Sequence, residues 1–384
     1  MSVTGRYPPS FYLAITANLF FFAGFQWTYA TLPAYIQAIG GDAAAIGLAF
    51  GLFSLGAVAA RPGVGRLVDR WGCKPVLLGG AVIFALSPVL YALSPSLWAF
   101  QVVRVFHGVG MAAFTTAYTA LIANLASPER RGEAIGLSGA TNNLGLLFAP
   151  ALGSYSASQC GYGAHLFLAA GISAVSIPLL LAVAEPGGKA ITRTRGMDLR
   201  AVARMRPVWV ASFGITGLAV AYGSILSFLA PFAAERSLAA VGGFFSTFAV
   251  AVMLVQVSAG WLSDRIGRRT VAVPGMLAAM LTMAGLSLAH SDAALLVAGA
   301  AFGLSWGLTR AGTDSAVVDA VPIEARGTAL GILYTSFDIG VGSGALGLGI
   351  VAAAQGYAAA FYAAAAWAAT ALAGYLVWGR RRGS

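Results

Sequence analysis

Gly65-Arg66-Leu67-Val68-Asp69-Arg70-Trp71-Gly72-Cys73-Lys74 returns 195 residues later as Gly260-Trp261-Leu262-Ser263-Asp264-Arg265-Ile266-Gly267-Arg268-Arg269. The same offset carries Arg131-Gly132 onto Arg326-Gly327 and Gly136 onto Gly331. A gap-free register over separate segments marks a chain built from two copies of one unit. Each copy of the motif stands between two long apolar runs, so it reads as a short loop joining two helices.

The composition says what surrounds those helices. Of the 384 residues, 9% are charged and 59% belong to the apolar set, against about 25% charged in a soluble protein. Too few charges remain to coat a soluble enzyme, a nucleic-acid-binding domain or a disordered chain. Apolar stretches of about 20 residues recur along the chain, the length of a membrane-spanning helix, and the short alternating segments of a β-barrel are absent. At about 32 residues for a span and its loop, the chain holds roughly twelve spans. They fall near 11–37, 44–67, 75–93, 97–124, 134–157, 164–184, 207–231, 241–262, 270–289, 293–320, 328–354 and 358–378. The expected fold is an all-α membrane protein: twelve transmembrane helices in two pseudo-symmetric six-helix bundles. Residues 1–185 form the first, 207–384 the second, and the polar, basic stretch 186–206 the linker. The 49 glycines suit helices packed closely in lipid.

The net charge of +10 sets orientation. Arg6, Arg66, Arg70, Lys74, Arg130 and Arg131 fall on one face. So do Lys189, Arg193, Arg195, Arg200, Arg204 and Arg206 of the linker, then Arg265, Arg268, Arg269, Arg326 and Arg380 to Arg382. The opposite loops hold only Arg236. Basic residues collect on the cytoplasmic side, so both termini and the linker are expected there, in a cell (inner) membrane. The run from Phe11 to Gln37 is too long for a signal-peptide core and reads as the first span. Cys73 and Cys160 fall on opposite faces, which excludes a disulfide between them, and no metal-ligand spacing surrounds them.

The motif after span 2, with its echo after span 8, resembles the signature G-x-L-x-D-R-x-G-x-K of the major facilitator superfamily. The resemblance covers the whole chain and implies two six-span halves working by alternating access around a central site. In the motif, Gly65 is expected to permit close approach of a neighbouring helix. Asp69 sits before the next span, where the helix dipole favours a carboxylate. Arg70 and Lys74 can pair with Asp69. With Gly72 and the repeats Gly260, Asp264, Arg265, Gly267 and Arg268, these residues would form a cytoplasmic gate; the alternative is a plain polar loop.

Two further stretches extend the resemblance. Arg104, His107, Gly108, Gly110 and Ala112 on span 4 are similar to the family's R-x-x-x-G-x-G-x-A. Arg104 would assist proton coupling or hold an anionic group, unless it snorkels to the interface. Gly136, Gly145, Pro150 and Gly153 on span 5 resemble the antiporter motif G-x8-G-x3-G-P-x2-G of the drug:proton exporters. Ala149 and Ser154 depart from that pattern. Span 1 lacks the acidic residue such exporters often carry; Asn18 and Gln26 are its strongest polar groups.

The intramembrane acids sit in the second half. Arg310 and Asp314 lie four residues apart on span 10, and Asp338 lies at a similar depth on span 11. Arg310–Asp338 with Asp314 nearby reads as a buried charge cluster, either a proton-exchanging site or a static tie between spans. Asp319, near the end of span 10, reads as solvated. His107 either titrates near neutrality or is a satisfied hydrogen-bonding residue. Gln26, Trp27, Tyr29, Tyr118, Asn142, Asn143, Tyr222, Phe228, Gln256 and Trp306 give a largely apolar cavity with a few polar anchors, suited to an amphipathic organic molecule.

No nucleotide-binding loop, hydrolytic triad, metal site or cofactor motif is present, so the chain is not expected to be an enzyme. The expected activity is proton-coupled efflux of small amphipathic organic molecules by a monomer. Its partners are the substrate, protons and the lipid bilayer, and nucleic acid is not among them. A metabolite exporter or importer of the same fold is the rival: its cargo would be a sugar, an amino acid or a metal chelator. A non-transporting membrane sensor is more remote.

Overall fold

The computed structural model describes residues 7–127, 130–185, 199–322 and 325–379. Arg6, Lys189, Arg193, Arg195 and Arg380 to Arg382 lie outside the described residues, with most of the 186–206 linker. All regular structure among the described residues is helical. The helices are α1 (Pro9–Trp27), α2 (Leu32–Ala38), α3 (Ala43–Trp71), α4 (Cys73–Ala92), α5 (Leu97–Leu125), α6 (Arg131–Ala174) and α7 (Ser176–Ala182). They continue with α8 (Leu199–Ala203), α9 (Arg206–Glu235), α10 (Val241–Ile266), α11 (Arg268–Ser287), α12 (Asp292–Ala320), α13 (Arg326–Gln355) and α14 (Tyr357–Trp378).

Nine helices among the described residues are long and apolar enough to cross a membrane, or ten if α10, bent by 47°, counts as one span. One of the nine, Gly136–Ala182, has 47 residues. Straight, it would measure about 70 Å at ~1.5 Å per residue, more than twice a hydrocarbon core of about 30 Å. Gly161 breaks it, with φ 74° and ψ 167°. The first helix, α1, is only 19 residues long, carries Asn18 and Gln26, and turns into α2. Leu254, Val297 and Ile350 are about 70% exposed, which in water would leave large apolar patches and in a bilayer presents lipid-facing surface. Exposed Trp71, Trp98, Trp261 and Trp378 lie at or near helix ends, where an amphipathic indole suits the headgroup level.

The 195-residue duplication recurs in the backbone. Shifted by that offset, α4 coincides with α11 and α5 with α12 at both ends. Ser96 and Ser291 cap the equivalent helices, each hydroxyl accepting from the N–H three residues on at 3.2 Å. Such a cap satisfies one of the donors a helix start leaves open. Gly72 and Gly267 take φ of 88° and 98°, and Gly161 and Gly356 take 74° and 85°. L side chains rarely adopt this backbone, so glycine at these four places is a steric requirement of the turn between helices.

Contacts divide the described residues into two compact units, 7–29 with 55–185 and 30–54 with 199–379. In the first, α1 packs on α6 and α4 on α5; in the second, α9 packs on α13 and α11 on α12. These are the same pairings under the offset. Residues 30–54 depart from sequence order, because α2 and the start of α3 pack with the second unit. There Gln37 Nε2 donates to Tyr357 Oη (2.9 Å), and Gly47 lies so near Gly349 that a Cβ on it would stand 2.9 Å from the Gly349 Cα.

Candidate functional site

The two motif loops are built differently. A Cβ at Gly65 or Gly260 would meet nothing within 4 Å, so the close helix approach expected there is not made. The glycines that the backbone demands are Gly72 and Gly267. Asp69 and Arg70 are exposed and form no ion pair among the described residues. The pairing of Asp69 with Lys74 is not made because Lys74 is engaged elsewhere. Its Nζ donates to Leu181 O and Val183 O, both at 2.7 Å. Those are end carbonyls of α7, which lack intrahelical partners and carry the negative end of the dipole. Glu185 returns the tie, accepting from Cys73 N (2.8 Å) and Lys74 N (3.2 Å) at the start of α4. In the second unit Arg269, the equivalent of Lys74, donates to Leu376 O at 2.6 Å. Arg268 bridges Asp264 and Asp319, the latter at 2.7 Å, and Arg265 lies 4.0 Å over Trp261. At the places of Arg268 and Asp319 the first unit has Cys73 and Asn124, whose amide donates to the thiol sulfur at 3.7 Å. The ion pair of the second loop is thus replaced, at the same two positions of the first, by a neutral contact.

Within the first unit, Arg104, Tyr91 and His107 are buried together. Arg104 Nη1 donates to Tyr91 Oη (3.2 Å), which lies 2.7 Å from His107 Nδ1. Arginine only donates, so the tyrosine hydroxyl accepts from it and joins the guanidinium to the imidazole in one buried chain. Phe84 stands edge-on to the imidazole at 4.1 Å. A second polar group joins α1 to α6. Asn18 Nδ2 donates to Thr141 Oγ1 (2.9 Å) and Asn142 Oδ1 (2.7 Å), and Gln26 Nε2 donates to Asn142 O (3.1 Å). Tyr118 donates to Ser138 Oγ at 3.0 Å. Trp27 Nε1 donates to Ser156 Oγ (3.1 Å), itself 2.8 Å from His165 Nδ1.

Two of the three span-5 glycines, Gly145 and Gly153, face α1. A Cβ at Gly145 would stand 2.6 Å from Gln26 Oε1, and one at Gly153 would strike the Trp27 carbonyl. Gly136 faces open space, and Pro150 lies buried inside the helix. Outside the spans, Glu133 accepts from Arg130 at 2.7 and 2.9 Å, and that bond holds its carboxyl below the usual range.

In the second unit Arg310 Nη2 lies 3.3 Å from Asp314 Oδ2, one turn along α12, and its guanidinium stands 4.5 Å over the Tyr334 ring. Tyr334 Oη donates to the same oxygen at 3.3 Å. The arginine's ion pair is thus with Asp314, reached without leaving the helix. Asp338 lies half-buried on α13, one turn beyond Tyr334. Around Trp306 gather Tyr222 (4.9 Å between centroids), Phe337 (5.4 Å), Phe248 (5.7 Å) and Phe302 (6.4 Å). Phe228 is fully buried and stacks on Tyr357, so it packs α9 against α14. Gln256 is exposed and Asn143 half-buried.

Sequence reading assigned no role to Arg61, half-buried on α3, to His165 or to Glu185. The role of Asn18 went unread too. Charge flags Arg61 and Glu185; nothing in sequence joins Asn18 to a residue 124 positions away.

Residues 14–244 and 232–384 match the family model of the Major Facilitator Superfamily. The chain is 26% identical over 354 residues to the multidrug resistance protein MdtG of Citrobacter koseri, covering 88% of this chain and 87% of that one. It is 25% identical over 337 residues to an uncharacterized MFS-type transporter of Methanocaldococcus jannaschii, covering 84% and 86%. In fold it is similar to a crystal structure of the nucleoside transporter NupG, with TM-score 0.76, 14% identity and coverage of 98% and 100%. It is also similar to a bacterial homologue of the human lysosomal transporter Spinster, with TM-score 0.78, 17% identity and coverage of 97% and 96%. Duplicated helices, lipid-facing surface and a match that runs to the last residue agree: this multi-pass membrane protein belongs to the Major Facilitator Superfamily.

Proposed function

We propose that the chain crosses the bilayer twelve times, in two six-helix halves with both termini cytoplasmic. It acts as a monomeric secondary transporter that exports small amphipathic organic molecules in exchange for protons, by alternating access. The count of twelve takes Gly161 as the turn between two spans and α1 with α2 as a span of its own.

The observation that carries the functional reading is where the halves stop matching. Under the 195-residue offset Asp338 stands at Asn143, Arg310 at Thr115, Asp314 at Thr119, Arg104 at Gly299 and His107 at Phe302. A duplicated scaffold folds with what both copies keep. Charges kept by one copy inside spans cost about 2.5–3.5 kcal/mol each on insertion scales, and such residues mark ion and substrate pathways. A carboxylate near arginine exchanges a proton for a substrate or for that arginine, since burial favours its neutral form and the cation its charged form. Asp338, Arg310 and Asp314, with Arg104 and His107, are the coupling groups in this reading. The aromatic cluster around Trp306 receives the apolar part of the cargo. The relatives described as multidrug resistance proteins support export.

A second reading, a carrier for one metabolite, is favoured by the ordered amide pair Asn18–Asn142, which suits a cargo of fixed polarity. Reconstitution in liposomes under an imposed pH gradient, screened with dyes and metabolites, tests both. Asp338→Asn is expected to move cargo down its own gradient and lose the pH-driven part. Unchanged pH-driven movement in that variant removes the coupling assignment.

A further inference from the structure

We infer that Asn18 is a positioning residue that turns the Asn142 amide so that its NH2 is offered to cargo, which makes this half of the carrier a reader of hydrogen-bond acceptors. The inference rests on the reading of the chain as a carrier of small organic molecules and adds a polarity to it.

The orientation follows from one fixed donor. Thr141 Oγ1 gives its hydrogen to Ser138 O at 2.8 Å, so toward Asn18 it can only accept. The Asn18 atom 2.9 Å from it is therefore the amide nitrogen. That same nitrogen lies 2.7 Å from the Asn142 side chain and so must meet its oxygen. One amide hydrogen goes to Thr141, with Ser138 O sharing at 3.5 Å, and the other goes to Asn142 Oδ1. The Asn142 NH2 is thereby left out of the bond to Asn18. The backbone of Asn142 is also held, by Gln26 Nε2. Asn18 is buried while Asn142 is half-exposed, so the first orients and the second presents.

The duplication shows that folding does not call for this device. At the equivalents of Asn18, Ser138 and Asn142 the second half has Phe213, Leu333 and Phe337. The same scaffold positions are filled there by apolar side chains, one of them in the aromatic cluster around Trp306. A fixed NH2 in a low-dielectric wall recognises a carbonyl, ether or ring-nitrogen acceptor and leaves a donor-only cargo unpaired, an asymmetry that buried polar groups make large.

Two lipophilic aromatic dyes separate the cases in proteoliposomes of the full chain. Nile red offers only acceptors, and N-phenyl-1-naphthylamine offers one N–H donor and no strong acceptor. The wild type is expected to favour Nile red in transport KM by about five- to tenfold, one hydrogen bond's worth. Asn18→Asp presents only oxygens to Asn142, turns its amide over and reverses the preference. Asn142→Asp keeps an oxygen toward Asn18 and reverses it too, without touching α1, so misfolding of one variant leaves the other decisive. Asn142→Leu abolishes the preference, the KM for Nile red rising by about five- to tenfold to meet that for N-phenyl-1-naphthylamine. A wild type and Asn142→Leu with the same ratio of the two dyes overturn the inference and leave the carrier reading standing. A wild type that moves neither dye overturns the inference and, with it, the reading of the chain as an exporter of amphipathic aromatic molecules.

Discussion

Replacing Gly153 with alanine tests whether the span-5 glycines serve helix contact or sequence pattern alone. An ideal Cβ there would stand 2.9 Å from Trp27 C and 3.3 Å from its Cα, closer still to the carbonyl oxygen. These are backbone atoms, and the Trp27 side chain is held by its bond to Ser156, so no rotamer change relieves the clash. Overpacking costs about 1–3 kcal/mol, and the upper part of that range applies. Alanine in place of glycine returns about 1 kcal/mol of helix propensity, leaving Gly153→Ala destabilised by about 1–2 kcal/mol. At Gly136 a Cβ meets nothing within 4 Å, so only the propensity gain of about 1 kcal/mol remains. Gly145→Ala falls between, because the atom in its way is the side-chain oxygen of Gln26. Cys73 is buried and Cys160 exposed, so thermal unfolding followed with a thiol-reactive dye reads the exposure of Cys73 over a constant background. The expected order of unfolding midpoints is Gly136→Ala above wild type, then Gly145→Ala, then Gly153→Ala. Equal loss at Gly136 and Gly153 would refute the contact argument and return the motif to a role in movement.

The duplication predicts matched energetics: Ser96→Ala and Ser291→Ala should each cost about 1 kcal/mol and shift the unfolding midpoint equally within error. Lys74→Met should weaken the tie to α7 by about 1–2 kcal/mol, seen as faster amide exchange in the last turn of α7 with α11 unaffected. Arg268→Gln leaves Asp264 and Asp319 facing each other; partly exposed as they are, the loss should be about 1 kcal/mol and shrink at high salt.

What the sequence disclosed, and what it withheld, follows from how far each interaction reaches. The repeat was legible because turns between helices require glycine at Gly72 and Gly267 and because basic loops are fixed by topology. Arg310–Asp314 was legible as an i,i+4 pair on one helix. The partner of Lys74 was not, since backbone carbonyls leave no mark in composition, and a carboxylate five residues away looked the more natural partner. Gly65 was read as a contact glycine from the motif alone, and open space there shows that pattern does not specify packing. The Asn18–Asn142 bond joins residues 124 apart; only the three-dimensional pairing of α1 with α6 reveals it. Phe228 fell in with the cavity aromatics because burial against α14 and exposure to a cavity look alike in an apolar run.

The packing of residues 30–54 with the second unit has a consequence for biogenesis. The chain is made from its N-terminus, so α2 and the first turns of α3 enter the bilayer long before α13 exists. Gly47 waits for Gly349, about 300 residues later, or about 15–60 s at ~5–20 residues per second. During that interval a seam built for a glycine-to-glycine approach faces lipid or the insertion machinery. The packing of residues 30–54 is therefore completed only after α13 has been made.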